Sequence, residues 1–265
     1  MKRRHWTAGV ATLCVAAWLP ACSTAAAPIT GPRSPGQVQV TAAVHGTAPA
    51  TTSLSSGAAG AAGQSGGRQY VVQMDALEGS TDDHTGTWKA QVGQLVGSDE
   101  PVVNAFNGAS RRSVTGLIVD ARSEALSDSW GLDVNSTISF RPSAVSQLTV
   151  GVYYSRGAAH PVYYIATVVI DSRDAQPVTL QDLFINKQDG LNRLSEKSAA
   201  ILGIDSNMPG LRATDENFAN WIPTAEGFEI HFADYQLGHG LRVTTIPWSD
   251  IADLLTPSMN ALTQR

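Results

Sequence analysis

The chain has 265 residues, of which 18 are Lys or Arg and 23 are Asp or Glu, so its formal net charge at pH 7 is −5. An acidic chain without a basic run is a poor candidate for binding nucleic acid, because the phosphate backbone requires clustered Lys and Arg. The length is ample for a sizeable hydrophobic core.

The first 21 residues have the anatomy of a secretory signal peptide. Three basic residues precede an apolar run from Trp6 to Leu19, which is too short to span a bilayer. The run ends in Leu-Pro-Ala-Cys, which fits the bacterial lipobox, so we predict that Cys22 becomes the acylated N-terminus. The alternative is an ordinary secretion signal with an incidental cysteine. The chain is therefore expected outside the cytoplasm, anchored to the cell membrane by lipid or otherwise secreted.

Removal of the signal peptide would change both the net charge and the number of free cysteines. It takes away three basic residues and no acidic one, which moves the formal net charge from −5 to −8. With Cys14 removed and Cys22 lipidated, neither of the two cysteines stays free. Disulfides, zinc–thiolate sites and cysteine nucleophiles are then excluded.

Residues 22–67 are dominated by Ala, Gly, Ser, Thr and Pro and contain one charged residue, Arg33. Such a composition predicts a flexible, disordered tether. Within it, Gly63 to Gly67 reads GQSGG and matches the G-x-S-x-G pattern of serine esterases. The serine of that pattern requires a strand before it and a helix after it, and the tether predicts neither.

The remaining residues, 68–265, are predicted to form one folded domain. A first strand is expected at Tyr70–Met74 and a second at Trp88–Leu95. From Pro101 the apolar residues recur at helical spacing through Ala121, with candidate breaks at two glycines, Gly108 and Gly116. Alternating patterns at 134–140 and 148–152 then predict an antiparallel hairpin.

The segment 162–170 is the centre of the predicted sheet. Both of its alternating side-chain sets are largely apolar, which indicates an interior strand covered on both faces. After it, Thr179 and Asp182 form a capping-box pattern, and a helix is predicted to end at Gly203.

The last third of the chain predicts two strands and a terminal helix. Phe228, Ile230 and Phe232 alternate with Glu229 and His231, which are expected to face outward. A final strand is predicted at 241–246, and Ser249 is predicted to cap a closing helix. Together these elements predict an α+β fold, a single domain with an antiparallel β-sheet and helices packed on one face.

Three stretches carry a resemblance to a known family. GAAHP before the central strand, VTLQDLF after it, and GFEIHFADYQLGHG with the following LRVTTIPWSDIADLL resemble the extracellular C-terminal domain of the RsiV anti-sigma-factor family. The resemblance covers about residues 148–255. It implies an envelope domain of unknown general function, whose best-known member is a receptor for lysozyme. The anti-sigma role requires a membrane helix and a cytoplasmic segment, and we do not extend it to this chain.

The histidines show no metal-ligand spacing, so neither a metal site nor a cofactor is predicted. His160 is the most informative of them, because it lies in a glycine–alanine corner and is followed by a proline. It could face a ligand or act in catalysis, or it could simply hydrogen-bond the corner and hold two strands in register.

Tyr, Trp and Arg dominate the energetically important positions of interfaces. Several such residues lie at predicted strand ends and corners, and with the two neighbouring histidines they give our predicted binding residues: Tyr154, Arg156, His160, Tyr235 and His239. We therefore predict a non-catalytic envelope lipoprotein that binds a basic, lysozyme-like protein or a cell-wall ligand. The alternative is a cell-wall hydrolase, most plausibly a carboxylesterase, although no serine, histidine and acid are singled out by their spacing.

Overall fold

The structure is a computed structural model that describes residues 60–125 and 129–264. The predicted signal peptide, the lipidation site Cys22 and the tether up to residue 59 lie outside the described residues. None of the helices in the described ranges is long and apolar enough to cross a membrane.

Six strands form the larger sheet, and they lie in the same order in the sheet as in the chain. They are β1 (Ala62–Ser65), β2 (Arg68–Ser80), β3 (Gly86–Gly97), β4 (Trp130–Arg141), β5 (Ala144–Ser155) and β6 (Val162–Asp171). All neighbours are antiparallel except β3 and β4, which are parallel. The sheet is therefore mixed, not wholly antiparallel as predicted, because a helix returns the chain to the same end of the sheet between these two strands.

That helix, α1 (Glu100–Ser123), packs along one face of the six-stranded sheet. Its buried residues recur every three or four positions, as the sequence predicted, and are Val102, Phe106, Ser110, Val114, Leu117, Ile118 and Ala121. The helix continues through Gly108 and Gly116, so neither glycine breaks it. The tertiary contacts of the apolar face outweigh the roughly 1 kcal/mol that a helical glycine costs relative to alanine.

A smaller layer follows in the chain. It contains α2 (Leu180–Leu183), α3 (Lys187–Leu202) and a three-stranded antiparallel sheet of β7 (Trp221–Pro223), β8 (Gly227–Phe232) and β9 (Arg242–Pro247). Asn186 caps the start of α3 by accepting from two backbone N–H groups, and Gly203 ends it in the left-handed conformation with φ of 65°. The α+β class is confirmed by these two sheets and their helices.

The predicted tether is too long at its C-terminal end, because Ala62–Ser65 is already a strand paired with β2. Gly66 and Gly67 have φ of 59° and 72° and form the two-residue turn between the strands. The buried Ser65 hydroxyl donates to the Ser172 hydroxyl at 2.7 Å. The GQSGG sequence is thus a hairpin turn with a strand on each side, not the strand–helix turn of an esterase.

The prediction that β6 is an interior strand is wrong, since β6 lies at the edge of the six-stranded sheet. Both of its faces are apolar because Val168 packs in the core under α1, whereas Val169 packs in the core of the smaller layer. Its free edge is covered by other groups: Asp234 accepts from the Tyr163 N–H, and Val169 accepts from Val178.

Two predictions about the smaller layer are also wrong. His231 does not face outward; it is buried, with its Nε2 atom 2.9 Å from Glu229 Oε1, because β8 is the middle strand and is covered on both faces. The terminal helix capped by Ser249 is replaced by short 3₁₀ turns. Ile251 interrupts any longer helix, since it leaves the helical region with φ of −130° and is fully buried.

Candidate functional site

Two loops from different parts of the chain meet beside the free edge of β6. One is the corner between β5 and β6, which carries His160, and the other follows β8 and carries Tyr235 and His239. The ring centroids of His160 and His239 are 4.2 Å apart, and those of Tyr235 and His239 are 5.4 Å apart. We call these three side chains the imidazole–tyrosine cluster.

Hydrogen bonds settle the orientation of His160 within the cluster. Its Nδ1 atom lies 3.1 Å from the carbonyl oxygen of Pro161, which can only accept, so Nδ1 carries the proton. In the neutral imidazole Nε2 is then an acceptor, and the Tyr235 hydroxyl donates to it at 3.1 Å. His160 therefore hydrogen-bonds its own corner and also joins it to a second loop. Its ligand-facing or catalytic role stays a prediction.

A buried carboxylate, Asp234, fixes the backbone beneath the cluster. Its side chain is 1% exposed and accepts from the backbone N–H groups of Gly240 at 2.6 Å and of Tyr163 and Tyr235 at 3.1 Å each. Burial by itself raises the pKa of Asp234, but the backbone N–H groups of Gly240 and Tyr163 and the nearby His239 lower it overall. The carboxylate is thus ionised at neutral pH and joins the edge of β6 to the loop.

His239 Nδ1 lies 3.3 Å from Asp234 Oδ1, so the same carboxylate orients the second imidazole. An ionised carboxylate only accepts, which favours an Nδ1–H facing it. In the described residues no protein group is hydrogen-bonded to His239 Nε2. The ring is 51% exposed and therefore accessible from solvent.

The loop after β8 is held in an unusual conformation. Tyr235 has φ of 65°, and Gly238 and Gly240 also have positive φ, of 110° and 87°. The Gln236 amide secures the loop from below by donating to the carbonyls of Gly210 and Asn217, each at 2.9 Å. A left-handed tyrosine costs energy, so its retention here depends on these bonds. The outcome is a Tyr235 side chain that is 55% exposed on a fixed backbone.

Tyr154 and Arg156, the other two predicted binding residues, lie near the end of β5 and are exposed. Within residues 60–125 and 129–264, no ring contact or hydrogen bond of the Tyr154 or Arg156 side chain to the cluster is observed. Tyr154 projects from the sheet opposite Gly131, while the backbone N–H of Arg156 donates to the Ser129 carbonyl. The structure therefore brings together three of the five predicted residues.

The chemistry available at the cluster is stacking, hydrogen bonding and proton exchange. In the described part of the chain, no hydroxyl of a serine or threonine is hydrogen-bonded to His160 or His239. Nor do three or more His, Cys, Asp or Glu side chains of that part form a group suited to a metal ion.

Sequence reasoning missed Asp234, on which the geometry of the cluster depends. The sequence ADYQLGHG contains a signal for this role of Asp234. An aspartate followed by two glycines is typical of a turn in which the carboxylate accepts hydrogen bonds from backbone N–H groups.

Comparisons with known proteins bear on the fold and do not assign a role to the site. No family model matches the chain, and no curated protein matches it. A solved structure of a DUF3298 family member from Bacteroides fragilis aligns with a TM-score of 0.52, at 12% identity, over 75% of this chain and 98% of its own. A DUF3298 family protein from Pseudomonas aeruginosa aligns with a TM-score of 0.46, at 15% identity, over 73% of this chain and 97% of its own. The first of these shows that the chain shares a fold with a family defined by a domain of unknown function.

Proposed function

We propose that the chain is a non-catalytic protein of the cell envelope, whose imidazole–tyrosine cluster binds a basic, lysozyme-like protein or a cell-wall ligand. The observation that carries this proposal is the exposure of Tyr235 and His239 on a loop that Asp234 holds rigid. Aromatic groups on a rigid backbone lose little conformational entropy when they bind.

The preference for a basic partner is supported by charge. The predicted mature chain has a net charge of −8, and complementary charge speeds association and selects against acidic partners. The resemblance to the RsiV domain, whose best-known member is a lysozyme receptor, supports a muramidase in particular. The shared fold with a DUF3298 protein is consistent with an envelope domain and does not itself specify a ligand.

Anchoring is a separate part of the proposal. Acylation at Cys22 would hold the domain at the outer face of the membrane, where cell-wall enzymes and cell-wall polymers are both accessible. Substitution of Cys22 by Ala is expected to release the chain from the membrane fraction. Retention of the variant in that fraction would exclude the lipid anchor.

A lysozyme and purified cell wall, offered separately to the chain, test the binding proposal. We expect capture of lysozyme that weakens as salt is raised, because long-range attraction between opposite charges is screened. A triple variant, His160→Ala with Tyr235→Ala and His239→Ala, should lose capture, whereas Tyr154→Ala should not. Capture of cell wall alone would identify the ligand as the polymer. No complex with either material at low salt would refute the proposal.

The alternative function, a cell-wall carboxylesterase, receives support from one observation. An exposed imidazole oriented by a buried ionised carboxylate, as in His239 and Asp234, is the base and orienting acid of serine hydrolases. The third member, a serine hydroxyl bonded to that imidazole, is not observed in the described residues. Hydrolysis of acyl-nitrophenyl esters that is abolished by a single Ser→Ala change and by His239→Ala would establish the enzyme.

A further inference from the structure

Each imidazole of the cluster has its Nδ1 held by a protein group, and the Nε2 of His160 also accepts from the Tyr235 hydroxyl. His160 uses Nδ1 for the Pro161 carbonyl, and His239 places Nδ1 against the Asp234 carboxylate. In histidines that ligate metals, one ring N–H is almost always donated to a backbone carbonyl or a carboxylate, which fixes the tautomer and makes the other nitrogen more basic. Both kinds of partner occur here, one on each ring.

The second observation is the spacing of the cluster. The two rings are 4.2 Å apart between centroids, inclined at 44°, and come from loops about eighty residues apart in the chain. The Tyr235 hydroxyl oxygen is 3.1 Å from His160 Nε2, so an oxygen donor and a nitrogen donor lie side by side. An ion bound to both atoms would replace the hydrogen bond between them. The three groups are at the surface, and an ion can enter from solvent.

From these contacts we propose that the imidazole–tyrosine cluster is a binding site for a divalent transition-metal ion that prefers imidazole, such as Zn²⁺, Cu²⁺ or Ni²⁺. His160 Nε2 and His239 Nε2 are the nitrogen ligands, and the Tyr235 oxygen is the adjacent donor. Water completes the coordination. In the ranges 60–125 and 129–264 no third His, Cys, Asp or Glu joins the group, so the tyrosine oxygen is essential to the donor count.

Chemical preference follows from the donor set. Imidazole suits zinc, copper and nickel, whereas magnesium and calcium require several carboxylate, carbonyl or water oxygens. Asp234 is not free to serve as a ligand to a hard cation, because both of its oxygens accept from backbone N–H groups. The site is therefore expected to bind Zn²⁺ and to ignore Mg²⁺.

The metal site does not rest on the proposed partner. Zinc is titrated into the purified full chain, without a histidine tag and with no protein or cell wall present. Capture of lysozyme is measured separately in the presence of a chelator. Loss of one result leaves the other intact, so the two proposals fail independently.

The test is a calorimetric titration with Zn²⁺ of the wild type, His160→Ala, His239→Ala and a control. We expect each alanine variant to bind at least tenfold more weakly. The control is His84→Asn, because His84 is exposed and lies outside both loops of the cluster. Its φ of 57° is tolerated by asparagine, so the substitution should not strain the backbone. It should leave the affinity unchanged, and Mg²⁺ should give no heat of binding.

Folding and location are checked in the same samples. Both histidines are exposed, so thermal unfolding of the alanine variants should match that of the wild type. Paramagnetic Ni²⁺ should selectively broaden the amide NMR signals of residues 157–160 and 233–240. The proposal is overturned if the wild type binds no zinc, or if either alanine variant binds zinc with the affinity of the wild type.

Discussion

Replacement of Asp234 by Ala is expected to unfold the site loop and to destabilise the domain. The change removes the acceptor of three backbone N–H groups, two in the loop and one on the edge of β6. It also removes the carboxylate that orients His239. The Tyr235 N–H also donates to the Gly238 carbonyl at 2.9 Å. For the N–H groups of Gly240 and Tyr163 no other acceptor is observed in the described residues, so water would have to replace Asp234 there.

The size of the effect can be worked from these contacts. A hydrogen bond to a charged group contributes about 1.5–3 kcal/mol, and the two bonds whose donors have no other acceptor in the described residues sum to about 3 kcal/mol at the low end. That is a large fraction of the roughly 5–15 kcal/mol that stabilises a domain of ordinary size. Asp234→Asn retains one acceptor oxygen but turns an N–H₂ group toward a backbone donor, so we expect about half of the loss.

Urea unfolding of the wild type and both variants provides the measurement, repeated at several pH values. The folded-state pKa of Asp234 is lower than that of an unfolded aspartate, near 3.9. The stability that it contributes is therefore fully present above the unfolded pKa and is lost as pH falls through the folded pKa. The difference in free energy of unfolding between the wild type and Asp234→Asn should accordingly be greatest at neutral pH and become smaller below about pH 4.

An exposed aspartate on β2, Asp75, supplies the control, because Asp75→Ala removes a charge without a buried contact and should change stability by less than about 0.5 kcal/mol. The reasoning about the site loop would be refuted if Asp234→Ala cost no more than this control. It would also be refuted if the loss were independent of pH between neutral and acid conditions.

Three further predictions concern the scaffold. Asn186→Ala should cost about 1 kcal/mol by removing the cap of α3, measured by urea unfolding, and no loss would contradict the capping role. Gly210→Ala places a Cβ 2.1 Å from a backbone carbonyl of the site loop and should cost about 1–3 kcal/mol, whereas Gly116→Ala, with open space around it, should stabilise by about 0.5–1 kcal/mol. Thermal unfolding of both variants measures these effects. A higher melting temperature for Gly210→Ala than for Gly116→Ala would contradict the packing described around the two glycines. A chain that begins at Gln69 lacks β1, and its free energy of unfolding should fall by about 2 kcal/mol because the hydrogen bonds of Ser65 and Gly66 are lost. Equal stability of the shortened and full chains would show that β1 is dispensable.

The helices were predictable because their signals are local. The apolar residues of α1 recur at helical spacing, and α3 is bounded by a glycine that adopts the left-handed conformation at Gly203. The hairpin of β4 and β5 follows in the same way from two alternating runs. Such features depend on residues a few positions apart, so neighbouring sequence contains the necessary information.

The position of β6 was not predictable in this way. An apolar pattern on both faces shows that both faces are covered, but it does not show how many strands pair with the edges. The edge of β6 is covered by Asp234, which is 71 residues from Tyr163 in the chain, and by the backbone of the loop that follows the strand. The strand β1 was missed for a different reason, because the composition of its surroundings outweighed the Gly66–Gly67 turn signal.

For the site, residue type and placement at corners identified His160, Tyr235 and His239, and the structure brings them together. Tyr154 has the same type and a similar placement, yet it projects elsewhere, because strand register decides the direction of a side chain. Asp234 was overlooked because an acid in a turn usually has a local role. Here the local role extends to the edge of β6 through the Tyr163 N–H.

Hydrogen–deuterium exchange of the chain saturated with a lysozyme tests the central claim most directly, because it reports where a partner binds. We predict slower exchange in residues 157–161 and 233–240 and no change in the exposed turn at 81–85. Slowed exchange confined to any other surface, with the cluster exchanging as in the free chain, would contradict the account.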